Sequence, residues 1–238
     1  MLLKKKILAV VPARGGSKGI KRKNIYPVCG KPLLHYTEDL VRQCSWIDCA
    51  VVSTDDQEIG DISKLQCPFL RPKELSGDFA SDYPLVQHAL IQSENIFNQR
   101  FDVVLLLQPT SPMRREGDLL SAVEKLIIGG WDSIMSVSET DSKGHPFKQF
   151  VLQNDEIRHW SEEGSKIIAR QQLSSTYHKD GIVYAMSRSC ILEQQTIFGQ
   201  AHTYQITNRP VINIDTLQDI EYFEFLLRKS EEFKEALS

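Results

Sequence analysis

Basic residues crowd one short stretch of the chain. In Ile7-Leu8-Ala9-Val10-Val11-Pro12-Ala13-Arg14-Gly15-Gly16-Ser17-Lys18-Gly19-Ile20-Lys21-Arg22-Lys23-Asn24 an apolar run ends at a proline, and cations then alternate with glycines. A polyphosphate needs this combination. Glycines let backbone N–H groups come close to an anion. Arg14, Lys18, Lys21, Arg22 and Lys23 would offset its charge, an arginine with two parallel hydrogen bonds. The spacing is not that of a Walker A loop, which needs Gly-Lys-Ser/Thr. Gly15, Gly16 and Gly19 also miss the Gly-x-Gly-x-x-Gly dinucleotide fingerprint. A solvated basic turn is the alternative. Placement after the first strand of an α/β pattern favours a ligand, because ligands sit at the carboxyl ends of such strands.

Further polar segments follow other apolar runs. Arg71-Pro72-Lys73-Glu74-Leu75-Ser76-Gly77-Asp78-Phe79-Ala80-Ser81-Asp82 is polar and turn-rich. Gln108-Pro109-Thr110-Ser111-Pro112-Met113-Arg114 carries two prolines, which stiffen a turn. Arg170-Gln171-Gln172-Leu173 leads to Tyr177-His178-Lys179-Asp180-Gly181-Ile182-Val183-Tyr184, and Asn213-Ile214-Asp215-Thr216 precedes a helical pattern. By themselves these read as a connection, a rigid turn and a helix N-cap.

The elements that must position these residues alternate. Ile7–Val11 reads as a buried strand, and Gly30-Lys31-Pro32 as the start of a helix with Leu33, Tyr36, Leu40, Val41 and Cys44 on one face. Ala50–Ser53 is a second strand, and Thr54-Asp55-Asp56 can cap a helix carrying Ile59, Ile62 and Leu65. A third short strand is expected before Phe69. A helix spans about Tyr83–Phe97, Val103–Leu107 is the cleanest buried strand, a helix surrounds Leu119–Ile127, and Ser133–Ser138 is a strand. This alternation predicts a mostly parallel sheet with right-handed crossovers. From about 139 to 200 short alternating runs between polar turns suggest antiparallel hairpins. Val211–Thr216 reads as a strand running into a helix with Leu217, Ile220, Phe223 and Leu227 inside.

The chain has 238 residues, 41% hydrophobic and 25% charged, which suits a single globular domain over 1–238. A net charge of −3 argues against general nucleic-acid binding and makes the basic loop a local feature. No run approaches the ~18 apolar residues of a membrane span. Lys4-Lys5-Lys6 before apolar residues looks like a signal-peptide start, but Arg14 interrupts too soon. Cys29, Cys44, Cys49, Cys67 and Cys190 are scattered without Cys-x-x-Cys spacing, so reduced thiols in a cytoplasmic protein are expected.

Pro12-Ala13-Arg14-Gly15-Gly16-Ser17-Lys18-Gly19 with Lys23-Asn24 resembles the signature loop of the acylneuraminate cytidylyltransferases, the CMP-sialic acid synthetase family. Later segments match in order from Leu70-Arg71-Pro72 to Asp215-Thr216, across nearly the whole chain. The resemblance implies a three-layer, Rossmann-like α/β nucleotidyltransferase fold, with an antiparallel insertion at about 139–200 that makes a homodimer. It implies that CTP is coupled to a nine-carbon 2-keto-3-deoxy sugar acid. Arg14, Gly15, Gly16, Ser17, Lys23 and Asn24 would hold the nucleotide. Arg71, Ala80, Ser81 and Asp82 would border the cytosine. Asp82 stands where many relatives have serine; it could accept from the cytosine amine or simply cap a helix.

For the sugar acid the resemblance implies Gln108, Thr110, Ser111 and Tyr184, with Arg170 on the carboxylate and Lys148 reaching across from a neighbouring subunit. Lys148 could equally be a solvated surface charge. His178 and Asp180 stand where relatives have arginine and asparagine, at the same end of the site. The family holds Mg²⁺ on Asp-x-Asp; the resemblance implies Asp215 as the metal ligand here, with Asn213, on the same face of a strand, able to assist as an auxiliary. A KDO-type nucleotidyltransferase, or a nucleotide-binding protein without turnover, are the rival readings.

Overall fold

A computed structural model describes residues 1–235, with side chains through 230. Its centre is a six-stranded sheet. β1 (Ile7–Pro12) lies between β4 (Cys49–Ser53) and β5 (Val103–Leu106), parallel to both. Beyond β5 come β9 (Tyr177–Ser187), β6 (Ser133–Glu139) and β10 (His202–Ile206), in the order β10-β6-β9-β5-β1-β4. Only β9 runs against the rest, antiparallel to β5 and β6, so the sheet is mostly parallel as expected.

The alternation of side chains along β1 separates two cores, because successive residues of a strand face opposite ways. Ile7, Ala9 and Val11 point to a face covered by α1 (Leu33–Gln43) and α4 (Glu116–Gly129), through Val41, Leu119, Ala122, Val123 and Leu126. Leu8 and Val10 point to the other face. It is covered by α3 (Asp82–Phe97) and the short α5 (Arg188–Leu192), through Leu85, Val86, Ala89, Leu90 and Ile191. These are the three layers. A smaller core joins Ile20, Val28 and Leu33 to Ile212, Ile214 and the first turns of α6 (Leu217–Glu235), through Ile220 and Phe223. It fastens the basic loop to the segment carrying Asp215.

Several local expectations change. Gly30-Lys31-Pro32 does not open α1. A small hairpin, β2 (Pro27–Val28) and β3 (Lys31–Pro32), turns at Cys29 and Gly30, both with positive φ, and Pro32 sits just outside the helix in extended geometry. The helix α2 is Gln57–Ile62, capped by Asp56, which accepts from the Glu58 and Ile59 N–H groups; Leu65 lies beyond it. The strand expected before Phe69 is a single bridge from Gln66 to Val51. Among the described residues Val211–Thr216 pairs with no strand. It is tied to the loop after β5 by Ile214 N–H donating to the Thr110 carbonyl at 2.8 Å.

The stretch 139–200 divides. Its start is an arm containing the hairpin β7 (Phe150–Gln153) and β8 (Glu156–His159), in a two-stranded sheet of its own. Its middle is β9, buried from Asp180 to Met186 in the centre of the main sheet. The hairpin expectation holds for the arm. β9 is antiparallel as well, but to β5 and β6 inside the main sheet, where its apolar run packs.

Candidate active site

A cavity of about 660 Å³ opens beyond the carboxyl ends of β1 and β5, within the ~300–1,000 Å³ range of small-molecule sites. Four segments line it. The loop after β1 supplies Arg14, Ser17, Lys18, Lys23 and Asn24; residues 71–82 supply Arg71, Asp78, Phe79, Ala80 and Asp82. The loop after β5 gives Gln108 and Thr110, and the stretch before α6 gives Asn213 and Asp215.

The basic loop is pressed between two neighbours. Gly15 N–H donates to Asp55 Oδ1 at 3.0 Å. A Cβ on Gly15 would stand 2.5 Å from an Asp56 carboxylate oxygen, and one on Gly19 2.6 Å from the Asp215 carbonyl oxygen. Any side chain there would force the loop off its seat. Gly16 meets no such obstacle.

The loop cations do not all face the cavity. Arg14 pairs with Asp78 at 3.1 Å, and Lys18 reaches the other oxygen of the same carboxylate at 2.7 Å. Lys23 Nζ donates to Asp215 Oδ1 and to the Ile214 carbonyl, each at 2.9 Å. Arg22 instead turns away. In left-handed backbone geometry (φ +58°) it forks between Asp56 and Glu58 at the start of α2, at 2.5 Å to each. The expectation that Arg22 offsets phosphate charge is thus replaced by a clamp on the loop. Lys21 is exposed and outside the cavity lining. Asn24 is buried and donates to the Arg14 carbonyl at 3.0 Å, so it fixes the backbone from which Arg14 projects.

The opposite wall is anchored by Arg71, 4% exposed. Its N–H donates to Thr54 O at 2.7 Å and its Nε to Ser76 Oγ at 2.9 Å. Burial lowers its pKa, against the pull of Asp55. Asp82 is not the cap of α3: Ser81 holds that place, and Asp82 is the first helical residue with its carboxyl toward the cavity. Burial pushes the Asp82 carboxyl up, and Lys179 and Arg71 pull it back in part. Ala80 and Asp82 are shared with a neighbouring cavity of about 440 Å³ lined by Ser81, Lys179, Tyr184 and Phe198. Burial, with the Asp82 and Asp180 charges, pushes the Tyr184 hydroxyl up to about 12.

A group absent from the sequence expectations holds the floor. Arg114 is buried and donates to four acceptors: Ile182 O at 2.9 Å, Thr37 Oγ1 at 2.6 Å, Gln108 O at 2.9 Å and Gly181 O at 3.1 Å. It sets where Gln108 starts. Ser111, also buried, lies outside the lining and donates to the Asp180 carbonyl at 3.3 Å. Asp180 accepts from Ser136, from Ser138 at 2.9 Å and from Ile182 N–H at 3.0 Å, so its carboxylate is consumed within the fold. His178 is exposed and meets Thr140.

Asp215 is free of the capping duty that its position suggests. Thr216 caps α6 and Asp219 reaches back to its N–H at 2.8 Å, a reciprocal box. The Asp215 carboxylate therefore faces the cavity, held by Lys23 and by Asn213 Nδ2 at 3.2 Å. Among the described residues no three His, Cys, Asp or Glu converge as a metal cage. A single exposed carboxylate with a neighbouring amide does suit Mg²⁺, which usually takes one or two protein oxygens and completes its shell with phosphates and water.

Lys148 and Arg170 are placed elsewhere. Both lie in the arm, Arg170 fully at the surface, and neither lines the cavity of its own chain. Among the described residues no helix is long and apolar enough to cross a membrane, and all five cysteines are unpaired.

Known proteins resemble this chain in sequence and fold. The family profile described as "Cytidylyltransferase" matches residues 8–236. A pseudaminic acid cytidylyltransferase of Campylobacter jejuni is 32% identical over 235 residues, covering 95% of this chain and 98% of that one. A CMP-N,N'-diacetyllegionaminic acid synthase of Legionella pneumophila is also 32% identical, with the same coverage. An N-acylneuraminate cytidylyltransferase of Escherichia coli is 27% identical over 92% of this chain but only 51% of its own. Among solved structures, a CMP:2-keto-3-deoxy-manno-octonic acid synthetase complexed with CTP superposes with a TM-score of 0.68 at 16% identity, covering 94% of this chain and 99% of that one. With the profile spanning almost every residue and two relatives above 30% identity end to end, the chain belongs to the cytidylyltransferase family.

Proposed function

We propose that the protein joins CTP to a nonulosonic sugar acid, giving a CMP-sugar and pyrophosphate. One observation carries this reading: Arg14, Lys18, Lys23 and Asp215 meet over one cavity whose far walls hold Asp82 and Gln108. Cations for a triphosphate and polar groups for a base and a sugar thus share one enclosure. The relatives above 30% identity are named for acids of this class.

The reaction asks little covalent work of a protein. The C2 hydroxyl of the sugar acid attacks the α-phosphorus in line, and the bond to the pyrophosphate oxygen breaks. Arg14 and Lys18 exchange the Asp78 carboxylate for phosphate oxygens and offset the charge that grows on the leaving group. Asn24 keeps Arg14 aimed. Ala80, Ser81, Asp82 and the buried Arg71 border the base. Gln108 and Thr110, on a loop pinned by Arg114, orient the acceptor. Lys23 holds Asp215 in place, and Asp215 with Asn213 would hold Mg²⁺. That ion, when bound, would supply positive charge to offset that of the phosphates.

The assembly belongs to the same proposal. Leu152 and Ile157 face each other across the β7–β8 hairpin, 75% and 66% exposed, with Phe150 beside them. An apolar face of that kind is suited to a second copy of the chain. In such a homodimer Lys148 and Arg170 would serve the cavity of the other copy.

The test is pyrophosphate release with CTP, UTP, GTP or ATP against pseudaminic, legionaminic, N-acetylneuraminic and KDO acids. Turnover with CTP and one nine-carbon acid is expected. Preference for KDO or for another nucleotide would replace the reading, and no release with any pair would favour a binding protein. Asn213→Asp should lower the Mg²⁺ concentration for half-maximal rate several-fold; an unchanged titration removes Asn213 from the site.

A further inference from the structure

Asp78 brings to the cavity a charge of the same sign as the phosphates the cavity would bind, and it sits on their cations. It sits at the tip of a tight turn closed by Ala80 N–H donating to Gly77 O at 3.2 Å. The base of the turn is fixed: Ser76 N–H donates to Lys73 O, and Ser76 Oγ accepts from the buried Arg71. From this anchored turn one carboxylate spans Arg14 at 3.1 Å and Lys18 at 2.7 Å, using one oxygen for each. Phe79, next to it, is fully exposed, so the turn is not held down by burial of its apolar residue. Two ion pairs hold its tip against the basic loop.

We propose that Asp78 is an internal competitor for the phosphate seat, a residue that sets which ligands may occupy Arg14 and Lys18. This rests on the nucleotidyltransferase reading of the cavity. A carboxylate brings one negative charge to two cations. A triphosphate brings several and displaces it. A ligand with a single phosphate near this seat gains less and displaces it poorly. After bond cleavage the same competition acts on pyrophosphate, and the returning Asp78 carboxylate helps to eject it. The exchange is inexpensive because both pairs are open to water, where such contacts are weak and screened by salt.

The experiment is calorimetric binding of inorganic pyrophosphate, CTP and CMP to the full chain with Mg²⁺ and without it, for the wild type, Asp78→Asn and Asp78→Glu. Asp78→Asn keeps the shape and removes the charge. It should bind pyrophosphate and CTP about 3–10-fold more tightly, the scale on which exposed ion pairs act. CMP should change less. The gap should narrow as salt is raised, and Asp78→Glu should restore wild-type affinity. In turnover, Asp78→Asn should show stronger inhibition by pyrophosphate. Equal or weaker pyrophosphate binding by Asp78→Asn, beside a wild type that binds CTP, overturns the role of Asp78 and leaves the nucleotide reading standing. Failure of both proteins to bind CTP and pyrophosphate overturns the nucleotide reading and the Asp78 proposal with it.

Discussion

The strand-end cavity and the arm that leaves the sheet after β6 treat their side chains in opposite ways. Around the cavity most charged groups find a partner within the same chain: Arg14 and Lys18 on Asp78, and Lys23 on Asp215. In the arm the apolar groups go unmatched: Ile168 is 93% exposed and Trp160 69%. The ends of the arm are tied to β6 and β9 by the Ser175 hydroxyl donating to Glu139 at 2.9 Å and by the contact of Thr140 with His178 at 3.1 Å. One region is preorganised for a charged guest. The other is folded without a core of its own, as expected of a surface that another molecule completes.

If the contrast is real, the largest effect belongs to the cavity. Arg14→Ala should lower kcat/KM by roughly 10³-fold, the scale for removing one preorganised charge-stabilising donor. The melting temperature should barely move, since the Arg14 pair is partly solvent-exposed. Near-normal rates at saturating CTP would break the contrast at its strongest point.

Arg114 sharpens it, because it shares the residue type of Arg14 and none of its surroundings. Arg114→Met leaves four acceptors, three of them in buried bonds, without their donor and should cost at least about 4 kcal/mol in urea unfolding, at about 1–3 kcal/mol per orphaned group. Its melting temperature should therefore fall, which Arg14→Ala does not predict. Equal stability of the two variants would show that burial does not separate their roles.

In the arm, Ile157→Ser with Trp160→Ser should convert a dimer to a monomer in sedimentation. Monomer stability should stay within about 0.5 kcal/mol of the wild type, as for exposed positions generally. An unchanged sedimentation coefficient would give the apolar face some other occupant.

How far the sequence carries the same contrast depends on the kind of signal. The strands β1 and β5 are legible because each is an apolar run that ends in a polar loop. Arg14, Lys23, Gln108 and Asp215, spread over two hundred positions, accordingly converge. The arm is legible as alternation. β9 is hidden by its setting: its apolar half follows directly on polar hairpin sequence, and nothing local marks that Asp180 is where the chain dives into the sheet. Arg22 misleads since charge density says nothing of direction; only the left-handed backbone turns it toward α2. Arg114 and Asp78 are missed for a related reason. A buried arginine bonded to carbonyls, or an aspartate facing two cations across a cavity, is a fact of tertiary structure with no spacing to announce it.

Asp82 belongs to both patterns at once and gives the finest test. It faces the cavity, yet it is buried enough that desolvation raises its pKa from the ordinary value despite Lys179 and Arg71. A raised carboxyl pKa means that the folded state holds this proton more firmly than the unfolded chain does. The contribution of Asp82 to stability is then full below the unfolded-state pKa. It falls away as pH rises through the higher folded-state pKa, where the charge must be carried without its full shell of water. Asp82→Asn cannot ionise, so its stability should not show this decline, and unfolding curves collected from mildly acidic to neutral pH should diverge, the variant gaining on the wild type. Parallel curves would mean that Arg71 and Lys179 fully compensate the burial of the Asp82 carboxyl.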